Sequence, residues 1–229
     1  MQRAHDLALP QDPEGLRRAQ QQLAETVGLT PSERTPRTWG AVDVAYAKSG
    51  PDLAFGVAIV MDAQSREVIE VVTWSGPPPH DYVPGLFALR EGACLIATLD
   101  ALQTRPDVLF IDGQGIAHPR GFGLACQIGI TFDIPTVGVA KRRLYGDYEP
   151  PGEEPGLWSP LRHQTIPKKI IGGVLRTQVG VKPVFVSPGH GCDVKTAMRW
   201  ATAARSDYRI LEPIRAADIR TRQLRDGRS

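Results

Sequence analysis

Three carboxylates stand where they could act together: Asp43 inside the apolar run 39–47, Glu91 inside a helix-like stretch at 84–102, and Asp112 at the end of a strand at 108–112. A carboxylate in a half-buried strand is costly, about 2–7 kcal/mol for an unpaired polar group and more for a charge, unless a cation or hydrogen bonds compensate it. Two strand acids of this kind point to a shared partner. Hard oxygen donors suit Mg²⁺ or Mn²⁺, and the chemistry open to such a set is phosphodiester cleavage with one or two divalent ions.

In a strand at 40–46 the period of two puts Ala41, Asp43 and Ala45 on one face and Val42, Val44 and Tyr46 on the other, so Asp43 faces away from the bulkier apolar side. Asp112 closes a parallel-type strand, the end at which α/β sheets place their ligands. It opens the run Asp112-Gly113-Gln114-Gly115-Ile116-Ala117-His118-Pro119-Arg120-Gly121. Glycines there let backbone approach a ligand closely, and His118 and Arg120 offer donors to phosphate. Each acid alone has a plainer explanation: a solvated sheet face for Asp43, an Asx turn for Asp112, an exposed Arg-Glu pair for Glu91. Their combination is what argues for a site.

The elements that must position these residues are legible from periodicity. Leu16, Ala19, Leu23, Ala24 and Val27 recur at helical spacing before Pro31 and Pro36. Strands at 40–46, 53–61 and 67–74, separated by segments of hairpin length, form an antiparallel meander. Leu86, Leu89, Ala93, Ile96, Leu99 and Leu102 mark a helix beginning near Pro84. There follow a strand at 108–112, a helix-like stretch at 121–132, a strand at 136–140, a long Pro/Gly loop at 145–167, strands at 170–176 and 184–187, and helices after Gly191 and Pro213. The expectation is an α/β fold in one domain, residues 1–229, with a mixed central sheet of a three-strand antiparallel meander followed by parallel strands, flanked by helices.

A net charge of +2 says nothing for or against a nucleic-acid partner, so only local clusters can. Lys141-Arg142-Arg143, Lys168-Lys169 and the arginine-rich segment 205–228 are such clusters, equally readable as solvated surface or phosphate contacts. Cys94, Cys126 and Cys192 are widely spaced, odd in number and without a CxxC pairing, which argues against a disulfide framework or a zinc site and fits a reducing cytoplasm. The first residues lack an apolar h-region, and the longest apolar run, 53–61, is too short to span a bilayer, so no membrane association is expected.

Several segments together resemble the endonuclease V family: Gly40-Ala41-Val42-Asp43, residues 82–92, the Asp112 to Arg120 run, Val137-Gly138-Val139-Ala140-Lys141, Leu144-Tyr145-Gly146 and Val186-Ser187-Pro188-Gly189-His190. They occur in the family's order over nearly the whole chain. The resemblance implies a ribonuclease H-like fold and Mg²⁺-dependent cleavage, Mn²⁺ being an alternative, of the second phosphodiester 3′ to a deaminated base, with 3′-hydroxyl and 5′-phosphate ends.

It further implies that Asp43 and Asp112 bind the metal, Glu91 completes the acidic centre, and Lys141 adds positive charge at the scissile phosphate. Asp218, placed near the start of the last helix, matches a position carrying Asp or His that binds metal or orients water. Tyr82 matches an aromatic wedge for the space left by a flipped base. Backbone around Gly113 and Gly115, with Leu86 and Ile116 as apolar walls, would hold hypoxanthine. Asp81 departs from the family's proline before the tyrosine, which removes a fixed φ beside the wedge and adds negative charge near phosphate. His190 could cap a helix or contact phosphate. The expected partner is DNA with deaminated bases, the expected state a monomer. The alternatives are cleavage of inosine-containing RNA and non-catalytic binding of damaged or branched DNA.

Overall fold

The computed structural model describes residues 1–7, 9–10, 12–78 and 87–227. Tyr82 and Leu86, the expected wedge and one expected pocket wall, lie outside the described residues, as does Asp81. In chain order the elements are α1 (Pro13–Ala24), β1 (Thr38–Tyr46), β2 (Ala54–Asp62), β3 (Val68–Gly76), α2 (Phe87–Asp100), β4 (Val108–Asp112), α3 (Leu124–Phe132), β5 (Thr136–Ala140), β6 (Trp158–Arg162), β7 (Ile170–Leu175), β8 (Val184–His190), α4 (Val194–Ala203) and α5 (Glu212–Arg225).

The strands form one sheet in the order β3-β2-β1-β4-β5-β8-β7-β6. The meander β1-β2-β3 is antiparallel, as its hairpin-length connections require. Strands β1, β4 and β5 run parallel, joined through helical crossovers. The expected parallel half ends there, because β8, β7 and β6 continue the sheet antiparallel.

Helices α4 and α5 cover one face. Ile214, Ala217 and Met198 pack on Trp39, Ala41, Ile59 and Phe110, around Cys192. Helices α2 and α3 cover the other, where Leu95, Leu99 and Ile128 meet Val42, Val60 and Ile111, around Cys94. A third cluster, which includes Cys126, packs Ile116, Phe122 and the apolar side of α1 against Leu161, Ile171 and Phe185. All three thiols are free and buried. Among the described residues no helix is long and apolar enough to cross a membrane.

Four sequence expectations change. The loop at 145–167 contains strand β6, which Pro160 hides; proline is tolerated because β6 is the last strand of the sheet, bridged on its outer side by Asp147 at Arg162. Strand β8 runs on past Ser187 to His190, because a register shift at Thr136/Val137 leaves Gly189 as the extra residue between paired Pro188 and His190. Helix α3 starts at Leu124, after Gly121 has turned the chain at φ +67°. Asp218 lies in the second turn of α5, not at its start.

Candidate active site

Strands β1 and β4 pair in parallel with Val42 opposite Ile111, so Asp43 and Asp112 are the next residue on each of two neighbouring strands, about 4.8 Å apart in the pairing direction. By alternation they share the side of Ala41 and Phe110, the side on which α5 packs. Glu91 comes from α2 in the opposite layer and is only 9% exposed. Its Oε2 is buried with no hydrogen-bond partner. Lys141 is the first residue beyond β5, and Asp218 faces the group from α5.

The charges act on one another. Burial pushes the Asp43 carboxyl up to about 6, with repulsion from Asp218 and Asp112 adding to it, while the Thr221 hydroxyl and Lys141 pull the other way. Glu91 is raised well above the ordinary carboxylate range by burial first, then by Asp43 and Asp112, against the pull of Lys141. Burial lowers the Lys141 ammonium, but its hydrogen bond to Asp112 and the fields of Asp112, Asp218 and Asp43 outweigh this and leave it raised. Lys141 Nζ lies 2.6 Å from Asp112 Oδ2, and Arg222 holds Asp218 at 2.9 Å. Five of the residues singled out in sequence therefore share one electrostatic field at the carboxyl ends of the parallel strands.

This donor set is chemically matched to a hard dication. It consists of carboxylate oxygens, which repel one another and include one buried oxygen without a partner. Among the described residues no three His, Cys, Asp or Glu side chains close round one point as a ready-made ion site. Lys141 is the cation that faces Asp112 directly.

The endonuclease V family profile matches residues 21–219 of this chain. Endonuclease V of Geotalea uraniireducens is 40% identical over 203 residues, which span 89% of this chain and 84% of that protein. The chain belongs to the endonuclease V family. The crystal structure of the Streptomyces avermitilis endonuclease V superposes with a TM-score of 0.87 at 38% identity, covering 97% of this chain and 96% of that one. An endonuclease V from Ciona intestinalis, solved with a 24-mer DNA containing an inosine followed by a ribo-adenosine, shares the fold at a TM-score of 0.78 and 23% identity, covering 91% and 95% of the two chains. The fold is ribonuclease H-like, as the resemblance implied.

Within this endonuclease V frame the glycine-rich run after Asp112 lies on the α3 side of the sheet. The Gly113 amide bonds to Val139 O, and Gly115 both donates to Ser187 Oγ at 2.9 Å and accepts from the Gly123 amide at 3.1 Å. Ile116 is buried in the third cluster. A Cβ on Gly115 would lie 2.0 Å from Pro188 O, a backbone atom that cannot swing away. Gly115→Ala is therefore expected to lower stability by about 1–3 kcal/mol through overpacking, read as a fall in thermal midpoint; an unchanged midpoint would show that the β4-to-α3 turn has room to spare.

Arg120 is set against α1 and His118 against the Arg120 amide; among the described residues neither bonds one of the acids. Arg120 Nε donates to Gln20 Oε1 at 2.6 Å. Burial and the nearby Arg120 push the His118 imidazole down to about 4, so it is neutral at pH 7 and accepts the Arg120 amide through Nδ1. His190 neither caps α4, whose N-cap is Asp193, nor stands open: its Nδ1 accepts from the Gly28 amide, and Nε2 lies 3.4 Å from Asp133.

Sequence reasoning missed three residues. Thr221 lies behind Asp43 and was masked by its position in a helix expected only in outline. Arg222 is the i+4 partner of Asp218, a spacing that could have revealed it. Arg209 grips the carbonyls of Lys141, Lys182 and Pro183 at 2.7, 2.8 and 3.2 Å, and so fixes the strand end that carries Lys141; no local pattern signals this.

Proposed function

We propose that this protein is a DNA-repair endonuclease that recognises deaminated bases, deoxyinosine foremost, and hydrolyses the second phosphodiester on the 3′ side of the lesion, leaving 3′-hydroxyl and 5′-phosphate ends. The observation that carries the reading is the convergence of Asp43, Glu91, Asp112 and Lys141 at the ends of β1, β4 and β5. Family membership and the inosine-containing DNA held by the Ciona relative support it.

Asp43 and Asp112 would hold Mg²⁺, or Mn²⁺ in its place, with Glu91 and Asp218 completing the acidic surround. When bound, such an ion activates water for attack and neutralises the non-bridging phosphate oxygens. Lys141, held by Asp112 and by the Arg209 grip on its carbonyl, supplies a further positive charge to the phosphate. Gly113, Gly115 and Ile116, with Leu86 and the Tyr82 wedge, would receive the extruded base.

The test is a labelled duplex with a single inosine, incubated with and without Mg²⁺ and mapped at nucleotide resolution. Mg²⁺-dependent cutting at the second bond 3′ to inosine is expected; no cutting, or cutting indifferent to inosine, defeats the reading. Inosine-containing RNA is a second reading, because the strand bound by the Ciona relative carries a ribonucleotide directly after its inosine. Matched DNA and RNA strands separate the two.

A further inference from the structure

A groove of about 270 Å³ opens beside the acids on the α5 face, and it shares Lys141 and Asp218 with them. Its other polar walls are Tyr208, Arg209, Arg215 and Arg222, and of the four cations Lys141, Arg215 and Arg222 are paired with Asp112, Glu212 and Asp218. Four cations against three carboxylates leave one positive charge in excess, that of Arg209. Among the described residues Arg209 bonds only carbonyl oxygens, which leave its positive charge uncancelled. Arg215 lies 3.4 Å from Glu212 and stacks its guanidinium 3.6 Å from the centre of the Tyr208 ring. Tyr208 is 51% exposed, so its ring is open to a ligand.

A positive channel with an exposed ring braced by an arginine is the pattern by which proteins hold single-stranded nucleic acid, the charges tracking phosphates and the ring stacking a base. Position supplies the direction. The glycine-rich run and α2, where the altered base is expected, lie on the opposite face of the sheet from α5. The α5 groove thus lies beside Asp43 and Asp112 on the side away from the expected lesion pocket, in reach of a strand whose scissile phosphate rests over those acids.

We infer that the groove formed by Tyr208, Arg209, Arg215 and Arg222 is a binding subsite for the nucleic-acid strand 3′ of the cleaved bond, taking one phosphate against the arginines and one base against Tyr208. The 3′ assignment rests on the functional reading above; the binding itself does not.

Two measurements test it. The first is fluorescence anisotropy of the full chain with an undamaged single-stranded oligonucleotide. Tyr208→Ala is expected to weaken binding about tenfold, and Arg215→Gln to weaken it and to shallow the salt dependence by about one phosphate contact. Tyr208→Phe, which keeps the ring, restores wild-type affinity and so excludes simple misfolding.

The second uses inosine strands that end one or about six nucleotides beyond the cut. Shortening the 3′ side raises KM for the wild type by about tenfold, whereas Tyr208→Ala and Arg215→Gln are indifferent to it; shortening the 5′ side affects all three alike. Wild-type affinity for the undamaged strand in Tyr208→Ala and Arg215→Gln overturns the subsite. Weakened binding with an undiminished 3′-length effect overturns the 3′ assignment. If no inosine strand is cut, the functional reading fails while the anisotropy still decides on the groove.

Discussion

Asp112→Asn lowers the rate of inosine-strand cleavage by about a thousandfold or more, roughly 4 kcal/mol of lost transition-state stabilisation, and leaves the strand bound at least as tightly as before. Both halves follow from where Asp112 sits. It is the residue that shares strand-end position with Asp43 and pairs with Lys141, so its charge belongs both to the ion-holding set and to the clamp on the ammonium. Asparagine keeps the shape and removes the charge. Lys141 is then released towards phosphate, and one repulsion against the substrate disappears, which is why affinity does not fall. Single-turnover cleavage with Mg²⁺ and anisotropy on the same strand measure the two halves separately. Wild-type cleavage by Asp112→Asn would remove this carboxylate from the chemistry.

Asp43→Asn abolishes activity by a similar factor and at the same time makes the protein more stable at alkaline pH. The folded Asp43 titrates at about 6, against an ordinary 3.8. Between those values the folded chain holds a proton that the unfolded chain has released, so stability falls as pH rises through the window. A shift of about two units corresponds to about 3 kcal/mol at most. Without divalent ions at pH 8, Asp43→Asn is therefore expected to melt about 5–10 °C above the wild type for a chain of this length. At pH 4 the gap closes. Adding Mg²⁺ at pH 8 raises the wild type more than the variant, because only the wild type has the charge to be relieved. Equal melting points at pH 8 and pH 4 would show that Asp43 is not under the electrostatic pressure described. Glu91 adds to the same pH dependence, since its carboxyl is raised by burial and by the same neighbours.

The parts of this molecule readable from sequence are those in which local pattern and tertiary role coincide. The runs at 108–112 and 136–140 are short apolar segments between turn residues, and they are strands β4 and β5 with the same limits. Alternation in the first strand separated Asp43 from Val42 and Val44 correctly, although its face is buried under α5 and not left roomy by alanines alone. Strand β6 was unreadable because Pro160 ordinarily argues against a strand, and only its place at the sheet edge permits it.

The acids were legible because their residue types and strand-end position carry chemistry. What joins them was not. The Lys141 to Asp112 bond spans 29 positions, the Arg209 grip on Lys141 spans 68, and nothing in either neighbourhood announces the other. His118 and Arg120 show the reverse, since two residues that read as free phosphate donors are engaged with α1 and with each other.

Each of the three packed clusters contains a single thiol: Cys192 in the cluster of α4 and α5, Cys94 on α2, and Cys126 on α3 in the cluster that α1 joins. Burial raises all three, Cys94 to about 11 and Cys126 to about 12, so thiolate is scarce and reagent has no path while the layers stay shut. The native chain thus carries one built-in chemical reporter per layer. The order in which an alkylating agent marks the three positions under mild denaturant would reveal which side of the sheet comes apart first, without any engineered label.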